Sequence, residues 1–211
     1  MNAILEGMEL FHKGGPVMYL LLCCSLLVIS IGVERYIYYR GAKTEMAGFI
    51  DPLSAFLAQG EWEKAAGFCR QRGGVAARLA EKGLQCRQNG SRYMESVLEG
   101  EAALTVGKLR QNLRHLDTIV TVAPLLGLLG TVIGMIGSFS VFNLKAGQPM
   151  AITGGVGEAL IATATGLCVA TLSMLVYSYF NHRLDGIITD MEQVCLLVLT
   201  CHRRENHHET A

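Results

Sequence analysis

Between Lys145 and Arg183 the chain carries a single charged residue, Glu158. A charged carboxylate at the centre of a membrane helix costs about 2.5–3.5 kcal/mol on insertion scales, so such a group faces a bundle interior or water, or stays protonated. Burial favours the neutral form of a carboxyl group, and a group poised to gain and lose a proton can carry one. The same residue held permanently neutral would be a hydrogen-bond staple between helices. Three hydroxyls accompany it. Thr131 is the only polar side chain between Ala123 and Ile136. Thr165 lies seven positions after Glu158 and so on its helical face, whereas Thr163 points about 140° away. The plain reading of Thr131 alone is a hydroxyl bonded to a backbone carbonyl one turn back. Gly127, Gly130, Gly134 and Gly137 recur at three, four and three. That spacing makes a smooth stripe on which helix backbones can approach closely in lipid.

Other chemistries find little support. No Ser/His/Asp or Cys/His set suggests catalysis, so no enzyme activity and no cofactor are expected. Cys201-His202 with His207-His208 has no metal-ligand spacing, and the segment reads as a frayed end, so no metal is expected. Gly154-Gly-Val-Gly157 lacks the Lys-Ser/Thr of a phosphate loop. Lys plus Arg number 18 and Asp plus Glu 18. The net charge is therefore zero and gives no hint of nucleic-acid binding. The 7 cysteines are unpaired in spacing and read as small apolar fillers.

The elements that must position these residues are long apolar helices. No charge occurs from Gly14 to Val33 or from Thr118 to Leu144, and only Glu158 in the third run. About 20 apolar residues cross the hydrocarbon core, and each run is long enough. The fold class is therefore an all-α integral membrane protein with three transmembrane helices and long helical extensions. The spans are placed at 16–37, 116–142 and 150–180. Between them lie an external N-terminus at 1–15, a cytoplasmic helical segment at 38–115 and an external turn at 143–149, with a cytoplasmic helical tail at 181–211. The first span is read as a retained helix, because Glu6 and Glu9 precede it where a cleaved signal needs positive charge. Twelve basic residues fall between Tyr38 and His115, whereas only Lys13 precedes the first span and only Lys145 joins the other two. Positive charge favours the cytoplasmic side, so the N-terminus is expected outside and the C-terminus inside.

The segment between the first two spans reads as helical but broken, without a compact core. Gly73-Gly74 and Asn89-Gly90 interrupt it. Ser91 is placed as the cap of a longer helix, with Met94, Leu98, Ala102, Val106, Leu109, Leu113 and Leu116 at helical period. With no breaker before Pro124, that helix is expected to run straight into the second span. Leu184, Ile187 and Ile188, Met191, Val194 and Cys195, and Val198 continue the third span as an apolar stripe.

Two motifs carry a resemblance. Ala-Pro-Leu-Leu-Gly-Leu-Leu-Gly-Thr-Val-Ile-Gly-Met at Ala123 to Met135 is followed by Gly-Glu-Ala-Leu-Ile-Ala-Thr-Ala-Thr-Gly-Leu at Gly157 to Leu167. In order and spacing the pair resembles the MotA/TolQ/ExbB proton-channel family, and the ExbB and TolQ branches most closely. The resemblance implies that Thr131, Glu158 and Thr163 line a proton path. It further implies a homo-pentamer in the bacterial inner membrane whose second and third spans surround a pore. The pore would hold a dimeric single-span partner of the ExbD/TolR kind, each copy bearing an essential aspartate, and the motion would act on a TonB- or TolA-like protein. The segment before the first span is short for the family. A flagellar stator is disfavoured, since that branch has four spans and lacks this Glu. Nutrient uptake, envelope maintenance and a non-conducting scaffold stay open on the residues alone.

Overall fold

The computed structural model describes residues 15–144 and 149–209; the side chains of 140–144, 149–153, 158 and 206–209 fall outside that description. Seven α-helices make up the described chain: α1 (Val17–Ala42), α2 (Ile50–Ala58), α3 (Trp62–Arg72), α4 (Val75–Gln85), α5 (Ser91–Arg110), α6 (Leu113–Leu144) and α7 (Pro149–Glu209). Short 3-10 turns lie at Met46–Gly48 and Arg87–Asn89, and no strand occurs among the described residues. The chain divides into two compact units. One holds the chain up to Glu34 with Asn112–Tyr179, and the other holds Arg35–Gln111 with the chain from Phe180.

The first unit is made of spanning helices. Three helical stretches, Val17–Gly48, Ser91–Phe139 and Gly154–Glu205, are long and apolar enough to cross a membrane. Only 22% of the most apolar window is buried in each of the first two, and 33% in the third. Leu26, Leu125, Ile136, Leu160 and Leu175 turn outward, each more than half exposed. Water would not tolerate so much continuous apolar surface on a monomer, whereas lipid does. The chain is an all-α membrane protein with three spans. Pro124 sits inside α6 without ending it. Proline removes one helical donor, and membrane helices accept that because neighbouring groups re-satisfy the backbone.

The continuous helix expected from Ser91 into the second span is interrupted. A turn at 111–112 separates α5 from α6. Side chains of α1 take the carbonyl that would have closed the next helical bond. Arg35 Nη1 donates to the Leu109 carbonyl at 3.0 Å, and Tyr39 Oη donates to the same oxygen at 2.9 Å. Arg35 is 4% exposed, and its guanidinium also lies 4.9 Å from the Tyr38 ring centroid. Charged donors at a buried carbonyl contribute about 1.5–3 kcal/mol each, enough to compete with an ordinary helical bond. On the far side of the turn, Asn112 Nδ2 donates to Glu34 Oε2 at 2.9 Å.

The second unit has a real core, contrary to the open chain of helices read from the sequence. Phe49 stacks on Phe68 with centroids 5.6 Å apart, and Phe56 tilts against the same ring at 5.8 Å. Leu53, Leu57, Ala65, Cys69, Leu79, Leu84, Met94 and Leu98 are buried around them. A periodicity reading misses this core because α2 and α3 contribute only two and three buried residues, although α4 buries seven. Gly73 and Gly74 do break the chain, at φ 67° and 83°, in the left-handed region that favours glycine. Ser91 is not the cap of α5. Gly90 occupies that position, at φ 90°, and Ser91 begins the helix. The apolar stripe of the tail is buried at Leu184, Ile187, Met191, Val194 and Val198. The end at His202 is not frayed either: α7 continues to Glu209, and His202 is 3% exposed.

Candidate functional site

The two motifs lie on α6 and α7, which run antiparallel along a seam of small residues. A Cβ built on Gly127 would lie 3.1 Å from the Ala162 carbonyl oxygen and 3.1 Å from Thr163 Cα. On Gly130 it would lie 2.5 Å from Ala162 Cβ, and on Gly134 it would lie 3.1 Å from Ala159 Cβ. Backbone and Cβ atoms at such distances leave no room for a side chain. Gly137 stands apart from the other three. It is exposed, and a Cβ there would meet nothing within 4 Å. Ser138 takes the next place on the seam, buried and with its Oγ donating to the Gly134 carbonyl at 2.9 Å.

The facing half of the seam was not singled out in the sequence. On α7 it consists of Gly155, Ala159, Ala162 and Gly166, at steps of four, three and four. Gly166 is the tightest position against backbone. A Cβ there would lie 2.7 Å from the Ala123 carbonyl oxygen and 3.0 Å from Gly127 Cα. Gly155 approaches Ser138 in the same way. The sequence signal for it is the run of small residues at helical period. The first helix closes one side of this region, with Val17 next to Gly130 and Gly32 next to Val176.

Two of the three residues implied by the resemblance bond to successive carbonyls of one α6 turn. Thr163 Oγ1 donates across the seam to the Gly127 carbonyl at 3.1 Å. Thr131 Oγ1 donates to the Leu128 carbonyl at 2.6 Å, the local bond anticipated for it. Thr165 Oγ1 likewise bonds within its own helix, to the Ile161 carbonyl at 2.8 Å. Thr163 is therefore the hydroxyl that joins the two motifs. Glu158 lies in α7 between Gly155 and Ala162, five residues and about 7.5 Å of helical rise before Thr163. Its side chain lies outside the described residues. Among the described residues no group of three His, Cys, Asp or Glu could hold a metal.

What the seam does chemically is to bring polar backbone and hydroxyl groups together inside an apolar pair of helices. Thr163 and the Gly127 carbonyl make that contact, while Thr131 bonds the next carbonyl, Leu128, on the exposed side of α6.

Known proteins share this arrangement of sequence. Residues 71–193 match the model of the MotA/TolQ/ExbB proton channel family. A putative biopolymer transport protein ExbB-like 1 of Synechocystis is 34% identical over 173 residues, covering 79% of this chain and 67% of the relative. The biopolymer transport protein ExbB of Salmonella typhimurium is 28% identical over 190 residues, covering 85% of this chain and 75% of the relative. The Tol-Pal system protein TolQ of Pseudomonas aeruginosa is 34% identical over 102 residues, covering 44% of each chain. With more than half of its length matched, including both motifs, the chain belongs to the MotA/TolQ/ExbB proton channel family.

Proposed function

We propose that this protein is the proton-conducting subunit of an energy-transducing complex in a bacterial inner membrane, with Glu158 as the proton-carrying group. The observation that carries the reading is the isolation of Glu158, the only charge between Lys145 and Arg183, in a helix long enough to span. Thr131 and Thr163 flank the path by holding the adjacent carbonyls of one α6 turn. Copies of the chain form a ring, a pentamer on the family pattern. A single-span partner of the ExbD/TolR kind occupies the centre and supplies an aspartate. The relatives named for biopolymer transport favour an ExbB-like role, acting through a TonB-like protein on outer-membrane transport. The likeness to TolQ supports envelope maintenance as the second reading.

Glu158→Gln tests the proton-carrying role. Gln keeps the shape of a neutral Glu and most of its hydrogen bonding but exchanges no proton. The available drive is about 2.3 kcal/mol per charge per 100 mV, and it is harvested only by a group that loads on one side and unloads on the other. The variant should insert and assemble normally and abolish proton uptake into proteoliposomes holding the chain with its single-span partner. Glu158→Asp should keep part of the flux. Wild-type uptake by Glu158→Gln would remove this residue from the mechanism and leave a structural scaffold as the reading.

A further inference from the structure

The end of α7 carries a built side-chain cluster that the proton path does not use. His202 is 3% exposed, and its ring meets Trp62 of α3 edge to face, with centroids 5.9 Å apart at 85°. Trp62 Nε1 donates to Glu205 Oε1 at 3.1 Å. The same oxygen accepts from Arg87 Nη2 at 2.6 Å, and the Arg87 guanidinium lies 4.8 Å from the Trp62 ring centroid. Glu205 Oε2 stands 4.0 Å from His202 Nδ1. Four side chains from α3, the Arg87–Asn89 turn and the last turns of α7 thus close on one another within one compact unit.

We propose that this cluster is a proton-sensitive latch, closed while His202 is neutral and released when its imidazole gains a proton. Closure places an aromatic edge and a nearly dry environment around the ring, which suits the neutral form. A second positive charge there would stand beside Arg87, whose guanidinium already claims Glu205. Among the described residues, the charged groups acting on the imidazole are Glu205 on its own helix and Arg87 from the turn, while α3 presents the uncharged Trp62 ring. Glu95 of α5 is engaged by Arg203 at 2.8 Å. Burial pushes His202 below the ordinary imidazole range; Glu205 pulls it upward and Arg87 pushes it further down. A depressed imidazole stabilises the closed form fully above about pH 6.5, and that contribution is lost as pH falls from there through the depressed value.

The full-length protein in detergent provides the test, because Trp62 is its 1 tryptophan and reports on the cluster directly. Amide-exchange protection of residues 198–205 and Trp62 emission are followed from pH 7.5 to 5.5. Protection should fall in the wild type, by up to about tenfold at pH 5.5, the limit for an imidazole that titrates near 6.5 once released. His202→Phe keeps a ring against Trp62 and cannot titrate, so its protection should not change with pH. His202→Gln serves the same comparison if the Phe variant does not fold. Unchanged wild-type protection at pH 5.5 would overturn the latch. So would equal loss in the variants, or a change in Trp62 emission without a change in protection, which is quenching inside a closed cluster.

Discussion

Most hydroxyls in the spanning helices bond to their own backbone, as Thr131, Thr165 and Thr171 do. Thr163 reaches instead to the Gly127 carbonyl on the neighbouring helix. Only the absence of a side chain at Gly127 lets the two backbones come close enough for that bond. Thr163→Val keeps the shape and removes the donor, so it should lower resistance to unfolding by about 0.6 kcal/mol, the average for such bonds between membrane helices. It should also reduce proton uptake less than Glu158→Gln does. Thr163→Ser should restore both. Melting and flux measured on the same preparations check this, and a Thr163→Val protein with wild-type flux would confine Thr163 to packing. This bond was not legible in the sequence. Helical spacing set Thr163 apart from the face of Glu158, but spacing within one helix does not say which carbonyl on another helix is near. Thr131, whose partner lies three residues back, was legible for the opposite reason.

Among elements, the α6–α7 seam shows what period alone can and cannot reveal. Three of the four glycines at three-four-three spacing would press an added Cβ onto α7, whereas a Cβ on Gly137 would find open space. A stripe at that spacing drifts round the helix, so its last member leaves the contact and Ser138 enters it. The contact uses three of these glycines within one chain, so they pack the hairpin without a second copy. Gly166→Ala should cost about 1–3 kcal/mol, because the backbone atoms it meets cannot turn aside. Gly137→Ala should be neutral or stabilising by up to about 1 kcal/mol through helix propensity. Denaturant unfolding of the two detergent-solubilised variants separates them, and equal losses would contradict the seam. The helix break at 111–112 escaped the sequence because no proline or glycine causes it. Its cause is Arg35, 74 positions away along the chain, which competes for the Leu109 carbonyl.

For the whole molecule, the three apolar runs were readable because lipid imposes a length and forbids charge, two conditions visible in any sequence. The small core around Phe49 and Phe68 was not, because α2 and α3 each bury too few residues to show a face and close the core only by packing with α4. The proposed orientation, N-terminus outside, rests on the twelve basic residues between Tyr38 and His115. In a cysteine-free background, a cysteine at Gln148 should react with an impermeant reagent applied to the periplasmic face, and one at Asn89 should not. Labelling of Asn89 in sealed cells would reverse the topology. Gln148 lies outside the described residues. The seam also bears on how the gene can vary. Every amino-acid replacement of Gly127, Gly130 or Gly166 adds at least one carbon where another helix already sits. Outward residues such as Leu128 and Leu160 can drift among Ile, Val and Met with little effect on that contact. As far as the α6–α7 contact is concerned, replacement is therefore restricted along one edge of each helix and tolerated along the other.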